Sequence, residues 1–401
     1  MPKLTLPPLS LYVHLPWCVR KCPYCDFNSH ALSGSLPEKD YVDALLADLA
    51  QDLAWLEGTR ARLDSIFLGG GTPSLFSPDS LARLLAGIRR LIPWNDDIEI
   101  SIEANPGTVE SGKFREFRAL GINRLSLGIQ SFQDAKLRAL GRIHTARQAM
   151  AAIETAKSAG FLNLNLDLMF GLPGQTLADA LEDIATAIDQ APTHISLYQL
   201  TLEPNTIFAK YPPPLPSEDT VWAMGDAGQK KLELAGFCRY EVSAYAKAGY
   251  QCRHNLNYWR FGDYLGIGAG AHGKLTDTRQ KQIWRYFKIR HPIHYMEKAQ
   301  TPARIGGKTL IGEADRPLEF LMNTLRLKEG FSPSQFECRT ALPFSSIEPI
   351  VDGLIREGLL YRQQGRIACT PDGWNFLDTL LERFVSFDQT LTILKIPFDI
   401  L

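Results

Sequence analysis

Three of the seven cysteines fall within eight residues, as Cys18-x3-Cys22-x2-Cys25, where x is any residue. Around them the chain reads Pro16-Trp17 before the triplet, Tyr24 inside it and Asp26-Phe27 after it. Thiolates are soft metal ligands. A structural zinc usually takes four ligands from paired Cys/His elements; here three cysteines cluster without a second pair, and His14 or His30 could complete a zinc site. Iron–sulfur clusters are also held by thiolates, normally four to a [4Fe–4S] cluster. Three leave one iron unsatisfied, and an open iron binds a substrate or cofactor through N and O atoms, a catalytic arrangement rather than an electron-transfer one. The remaining cysteines, Cys238, Cys252, Cys338 and Cys369, have no partner at ligand spacing and read as small core residues or exposed thiols. An odd count with a tight triplet is no disulfide framework, and it points to the reducing cytoplasm.

Other residues with chemistry to offer follow at intervals. Gly69-Gly70-Gly71-Thr72-Pro73 comes directly after an apolar run, and glycine lets backbone approach a ligand closely or take positive φ; the plain alternative is a tight turn. Glu103, Gln130 and Asp167 each close a later apolar run, and Arg142 lies in the loop after Gln130. Farther on stands His254-Asn255-Leu256-Asn257-Tyr258-Trp259. A histidine can ligate heme iron, and Tyr258 and Trp259 offer flat apolar faces to a porphyrin; equally, the element could anchor a loop across a barrel opening. There is no Cys-x2-Cys-His heme-attachment motif. Gly266-x-Gly268-x-Gly270 lacks the βαβ context of a dinucleotide loop and reads as close packing at the barrel end. His144 and His194 read as ordinary buried histidines.

The elements that must position these residues alternate regularly. Strands are expected at 9–14, 64–68, 98–103, 124–130, 163–168 and 194–198. Amphipathic helices are expected at 39–56, 78–91, 145–159 and 177–189. Such β–α alternation gives a parallel sheet with right-handed crossovers. An open doubly wound sheet, buried on both faces, reads as continuous apolar strands. Here one face is polar in three strands: Glu99, Ser101 and Glu103; Arg124, Ser126, Gly128 and Gln130; Asn163, Asn165 and Asp167. A lumen holding a polar ligand favours an α/β fold of the partial (β/α)6 TIM-like barrel kind, although polar residues can also satisfy one another in a packed lumen. In such barrels functional groups gather at the C-terminal strand ends. The domain expectation is a core at 1–215, a barrel-closing extension at 216–305 after the stiff Tyr211–Pro216 connector, and a winged-helix-like module at 306–401 with Gly365 at a hairpin turn.

With 401 residues, a length that suggests two or three domains, the chain carries 43 Lys+Arg against 44 Asp+Glu, a net charge of −1. That balance argues against a nucleic-acid surface. No apolar run reaches a transmembrane span, and the first residues lack a secretory h-region. A cytoplasmic protein is expected.

Cys18-x3-Cys22-x2-Cys25 with Tyr24 before its last cysteine resembles the signature of the radical S-adenosylmethionine (SAM) superfamily. The resemblance implies a [4Fe–4S] cluster on those cysteines, with SAM chelating the fourth iron through its amino and carboxylate groups. An electron from the cluster then cleaves the sulfonium to a deoxyadenosyl radical. Gly70, Gly71 and Thr72 match the element gripping the methionine end. Tyr12, Tyr24, Glu103, Gln130, Arg142 and Asp167 match the SAM site of the oxygen-independent coproporphyrinogen oxidase-like group. The decarboxylating oxidases of that group carry a further cysteine, where Phe27 stands here, and an N-terminal arm longer than the 17 residues before Cys18. The His254–Trp259 element instead resembles the heme-chaperone branch, as do Pro16-Trp17, 28–32, 203–206 and 262–264. The likeness is strong from about residue 8 to 275 and weak beyond. It implies heme held near His254, Tyr258 and Trp259 and handed to an acceptor protein, which can be a respiratory, membrane-bound one. No residue is assigned a certain catalytic role. The alternative is a radical SAM enzyme that oxidatively decarboxylates coproporphyrinogen III or another tetrapyrrole.

Overall fold

The structure is a computed structural model and describes residues 2–56, 62–108 and 112–385. Six parallel strands carry the core: β1 (Leu9–Leu15), β2 (Leu63–Gly70), β3 (Trp94–Ala104), β4 (Arg124–Gln130), β5 (Asn163–Phe170) and β6 (His194–Gln199). They lie side by side in chain order, as right-handed crossovers dictate. The connecting helices include α1 (Glu38–Leu53), α2 (Pro78–Leu91), α3 (Lys113–Ala119), α4 (Ala146–Ser158) and α5 (Leu177–Asp189). Their starts follow sequence signals. Ser77 caps α2 ahead of Pro78, and Thr145–Gln148 and Thr176–Asp179 form reciprocal capping boxes on α4 and α5.

The expected two-faced strand pattern sorts the residues. Leu11, Val13, Ile66, Leu68, Ile100, Ile102, Leu125, Leu127, Leu164, Leu166 and Ile195 are buried in one core with the helices. The alternate residues turn inward: Ser10, Tyr12 and His14; Ser65, Phe67 and Gly69; Glu99, Ser101 and Glu103; Arg124 and Ser126; Asn165 and Asp167; His194 and Ser196. The barrel is partial and continues on both sides. Beyond α6 (Glu218–Leu234), β7 (Cys238–Glu241) and β8 (Ala244–Ala246) extend the β6 edge antiparallel. After α7 (Arg253–Trp259), β9 (Asp263–Ile267) pairs parallel with β1 from Leu9↔Asp263 to Val13↔Ile267. The antiparallel β10 (His272–Asp277), β11 (Gln282–Lys288) and β12 (Ile305–Leu310) complete one twelve-stranded sheet, in the order β12-β11-β10-β9-β1-β2-β3-β4-β5-β6-β8-β7.

The glycine-rich 266–273 stretch packs closely, and half of it is strand. A Cβ at Gly266 would run into the His272 carbonyl, and one at Gly273 into the Tyr286 ring. A buried ionic cluster clamps this extension to α1. Lys288 Nζ lies 2.5 Å from Asp48 and 2.7 Å from Asp52, and Arg304 reaches the same two carboxylates at 2.8 and 2.6 Å. Two anions meet two cations, which is how buried charge is tolerated.

A second core is built by α8 (Arg316–Thr324), α9 (Pro333–Thr340), α10 (Glu348–Arg356) and the hairpin of β13 (Leu360–Gln363) with β14 (Arg366–Cys369). Gln364 and Gly365 both have positive φ, the geometry of a tight two-residue turn. Leu4 from the N-terminal segment and Phe261 from the end of α7 insert into this core. Residues 386–401 of the expected 306–401 module lie outside the described residues. No helix among the described residues is long and apolar enough to cross a membrane.

Candidate functional site

The cysteine loop leaves β1 at Leu15 and returns at His30. Trp17-Cys18 pairs parallel with His30-Ala31, so the excursion between them is closed at its base. Asn28 holds its far side by donating to the carbonyls of Ala269 and Arg290, both at 2.9 Å. Tyr41 bridges from α1, donating to the His14 carbonyl and accepting from the Ala269 amide. His14 is locked as well: Nδ1 accepts from the Tyr12 hydroxyl at 2.9 Å and Nε2 donates to the Asn28 carbonyl at 3.0 Å. That arrangement requires a neutral ring, and burial pulls its pKa down to about 4. His14 therefore has no nitrogen left for a metal.

Each loop thiol faces a hydrogen-bonding group. Thr72 Oγ1 donates to Cys18 Sγ at 3.6 Å, Arg142 Nη1 donates to Cys22 Sγ at 3.6 Å, and Cys25 Sγ meets Ser29 Oγ at 3.8 Å. Donors aimed at sulfur are what a thiolate-ligated cluster uses to tune its potential. Among the described residues no three His, Cys, Asp or Glu side chains converge as ligands of one ion. Three thiols spread along a donor-lined loop fit a cluster with several irons. Phe27, where the oxidases have their further cysteine, is 44 % exposed.

The glycine run packs under this loop. Gly70 has φ +114°, and a Cβ there would come 2.5 Å from the His14 ring; at Gly71 it would meet the Trp17 carbonyl at the same distance. The Gly71 and Thr72 amides donate to the carbonyls of Leu15 and Trp17. Glycine is required here by contact rather than by turn geometry alone.

The C-terminal ends of the next strands complete the mouth. Glu103 accepts from the Gly70 amide at 3.0 Å, and burial together with the Asp167 charge pushes its carboxyl up to about 7. Asp167 accepts from Ser126 and Asn165 at 2.9 and 2.8 Å. Gln130 adopts φ +66° at the end of β4. Gly128 makes room for two groups: its missing Cβ would sit 3.2 Å from Gln130 Nε2 and 3.4 Å from Arg142 Nη2. Arg142 donates to the Gly128 carbonyl at 2.9 Å and lies against Tyr24, whose ring packs on Phe208. Tyr12, Tyr24, Gly70, Gly71, Thr72, Glu103, Gln130, Arg142 and Asp167 thus meet around one mouth with the three cysteines. Carboxylates, an amide and a guanidinium of this kind can take up a zwitterionic amino acid end and a nucleoside.

His254, Tyr258 and Trp259 are not at that mouth. Helix α7 plugs the opposite, N-terminal end of the barrel. His254 Nδ1 lies 3.0 Å from the Ser65 hydroxyl and Nε2 2.8 Å from the Tyr258 hydroxyl. Asn257 donates to Ser10 Oγ at 2.9 Å, and Glu99 accepts from the amides of Arg253 and His254 at 3.1 Å. Ser10, Ser65 and Glu99 are register partners toward the starts of β1 and β2 and within β3. His254 is 1 % exposed, and burial with the nearby Arg124 charge lowers its pKa to about 3. Trp259 faces the other way, under the Arg326 guanidinium at 4.4 Å. Of the two readings of this element, a heme-facing histidine and an anchor across a barrel opening, the hydrogen bonds of His254 and Asn257 fit the anchor. Sequence spacing could not distinguish the two ends of the barrel.

The floor also holds His194, a buried histidine as expected, together with Tyr240 and Ser196, which sequence reasoning passed over. His194 bonds Asn165 Oδ1 at 2.6 Å and Tyr240 OH at 2.9 Å, and Ser196 donates to Asn165 at 3.1 Å. Their signal was the polar alternation itself, read there for three strands and continued by His194 and Ser196 in β6.

Comparison with known proteins places this geometry. Residues 12–187 match the model of the Radical SAM superfamily and residues 312–376 that of the HemN C-terminal domain. The chain is 50 % identical over 388 residues to the heme chaperone HemW of Haemophilus influenzae, covering 96 % of this chain and 100 % of that protein. It is 48 % identical over 381 residues to the heme chaperone HemW of Escherichia coli, with 95 % and 99 % covered. Among solved structures, coproporphyrinogen III oxidase (HemN) from Escherichia coli superposes with a TM-score of 0.80 at 22 % identity, over 95 % of this chain and 91 % of that one. That likeness speaks for the fold.

Proposed function

Since the chain belongs to the heme chaperone HemW family of radical SAM proteins, we propose that it binds heme and delivers it to an acceptor protein, using a [4Fe–4S] cluster on Cys18, Cys22 and Cys25 together with SAM. The observation that carries the reading is the donor-lined cysteine loop with Phe27 where the oxidases keep another cysteine. When bound, the cluster and SAM supply one-electron chemistry; the chain's own residues hold and screen them. Thr72 and Arg142 offer hydrogen bonds to the sulfurs. Gly70 and Gly71 bring backbone against the loop, and Glu103, Gln130 and Asp167 present acceptors where a cationic or nucleoside group would lie. Glu103, with its pKa near neutrality, can hold or release a proton beside such a group.

Coproporphyrinogen decarboxylation is not favoured, because relatives named as heme chaperones match at 48–50 % identity and the oxidase structure at 22 %. A reducing cytoplasm suits free cysteines and an oxygen-sensitive cluster, and it is the location we assign; the acceptor is a protein able to take heme without covalent attachment by this chain. The test is anaerobic reconstitution, iron and sulfide analysis, heme titration, and transfer of the bound heme to a heme-free acceptor. Stoichiometric decarboxylation of coproporphyrinogen coupled to deoxyadenosine formation would overturn the chaperone reading.

A further inference from the structure

Heme iron takes an axial ligand, and a neutral imidazole is the side chain best suited to supply it. The chain has eight histidines, and most are engaged elsewhere. His14, His194 and His254 each commit both ring nitrogens to hydrogen bonds. His144 is 3 % exposed and bonded to the Ile129 carbonyl. His272 lies within the sheet, its ring stacked on Phe287 of the neighbouring strand. The other three, His30, His291 and His294, come together at one place.

That place adjoins the cysteine loop. The His291 ring centre lies 5.8 Å from that of His30 and 4.7 Å from that of His294. His291 and His294 stand at the start of a short helix, Pro292–Lys298, and both are exposed. The helix is fixed from below, where the fully buried Tyr295 donates to Asp48 at 2.6 Å. It is fixed to the loop as well, because Asn28 donates to the carbonyl of Arg290, the residue before His291. His30 pairs with Trp17 at the base of the loop. Among the described residues its Nε2 has no hydrogen-bond partner, and burial together with the neighbouring His291 lowers its pKa, which favours the neutral ring.

The surroundings suit a porphyrin. A bare ion needs several protein ligands, whereas heme brings four nitrogens of its own and asks for one imidazole. Phe27, next in the chain to Asn28, offers a ring that is 44 % exposed, and Ile293, between the two histidines, is 55 % exposed. Lys21 donates to the Phe27 carbonyl at 3.0 Å and puts a cation at the same edge, where a propionate would lie.

We infer that the heme of the proposed function, on which this inference rests, takes its axial ligand from the His291–His294 pair beside the cysteine loop, and not from His254 on the barrel floor. Cargo and cluster then share one loop.

The experiment uses the full chain reconstituted anaerobically, as wild type, His291→Ala, His294→Ala, the double variant and His254→Ala. Each protein is titrated with hemin, and difference spectra remove the cluster's own absorption. The double variant should bind heme about 30-fold more weakly, the loss typical of one binding hot spot. Its Soret maximum should move, and free imidazole in the buffer should bring it back. A single variant that moves the band alone names the ligand; if only the double variant does, the two rings replace each other. His254→Ala should keep the wild-type maximum. Both deciding side chains are exposed, so their removal leaves the fold intact. A double variant with wild-type maximum and affinity overturns the inference, as does a shift confined to His254→Ala. Wild type that takes up no heme sinks the heme reading and this inference with it, a result distinct from bound heme with an unmoved band.

Discussion

The Gly70 amide donates to the Glu103 carboxylate across 3.0 Å, joining the glycine run after β2 to the end of β3. Gly70 is also the residue whose absent side chain admits the His14 ring. The cysteine loop, the glycine run and the acidic strand end therefore form one packed unit, with the half-buried Glu103 carboxyl group at its centre.

That carboxyl makes stability depend on pH. Its folded pKa is about 7 against an ordinary 4.5, so the folded chain holds a proton that the unfolded chain has released in this window. Stability is highest below the lower value and falls as pH rises through the upper one. The full effect is about 3 kcal/mol. Urea unfolding of the metal-free protein at pH 5 and pH 8 should show it, and Glu103→Gln should shrink the difference by up to that amount. An unchanged difference would mean that the group titrates normally.

Cys18→Ser, Cys22→Ser and Cys25→Ser should each reduce iron and acid-labile sulfide to background after anaerobic reconstitution. Cys238→Ser, at an exposed thiol, and Cys338→Ser, at a half-buried one, should leave both at wild-type levels. Equal loss in either control would assign the metal elsewhere.

His254→Ala removes a buried ring bonded at both nitrogens. It should cost about 2–4 kcal/mol, from a cavity and two stranded hydroxyls. The Soret band of the folded heme-loaded variant should match wild type, since the native ring has no free nitrogen for iron. Acid works on the same ring. With a folded pKa of about 3 against 6.5, only the unfolded chain takes a proton between those values, so this contribution to stability is lost as pH falls through that window. A shifted Soret maximum in His254→Ala would show that α7 opens to offer the histidine.

Lys288→Met should destabilise the protein by about 3–5 kcal/mol in denaturant titrations, because it leaves Asp48 and Asp52 buried with one cation instead of two. A near-zero effect would mean that the pocket admits water.

Much of this architecture was legible from residue types. The six barrel strands show themselves because one face is apolar and the other polar, and α2 and α5 because Ser77-Pro78 and Thr176 announce their starts. Strand β3 begins earlier than expected: Trp94–Asp97 are largely exposed residues with no apolar face to read. Strand β9 was hidden, since Gly266 resembles a loop residue until the His272 carbonyl is seen beside it. The site at the mouth follows from strand order, because residues at consecutive parallel strand ends must meet. The placement of His254 does not follow, because nothing local to residues 253–259 records which end of the barrel they will fill.

The parallel pairing of β1 with β9 sets a timetable for synthesis. β1 is made before β9, and one of its edges has no partner until roughly 250 further residues have been added, about 12–50 s at ribosomal speed. During that interval it is an open sheet edge, the kind that recruits other chains. Asn28 cannot take its two carbonyl anchors until Ala269 and Arg290 exist, so the cysteine loop lacks its final shape while the first half of the chain stands alone. Iron loading accordingly belongs after translation, and a cell short of cluster-assembly capacity would accumulate chains folded but unmetallated rather than chains arrested midway.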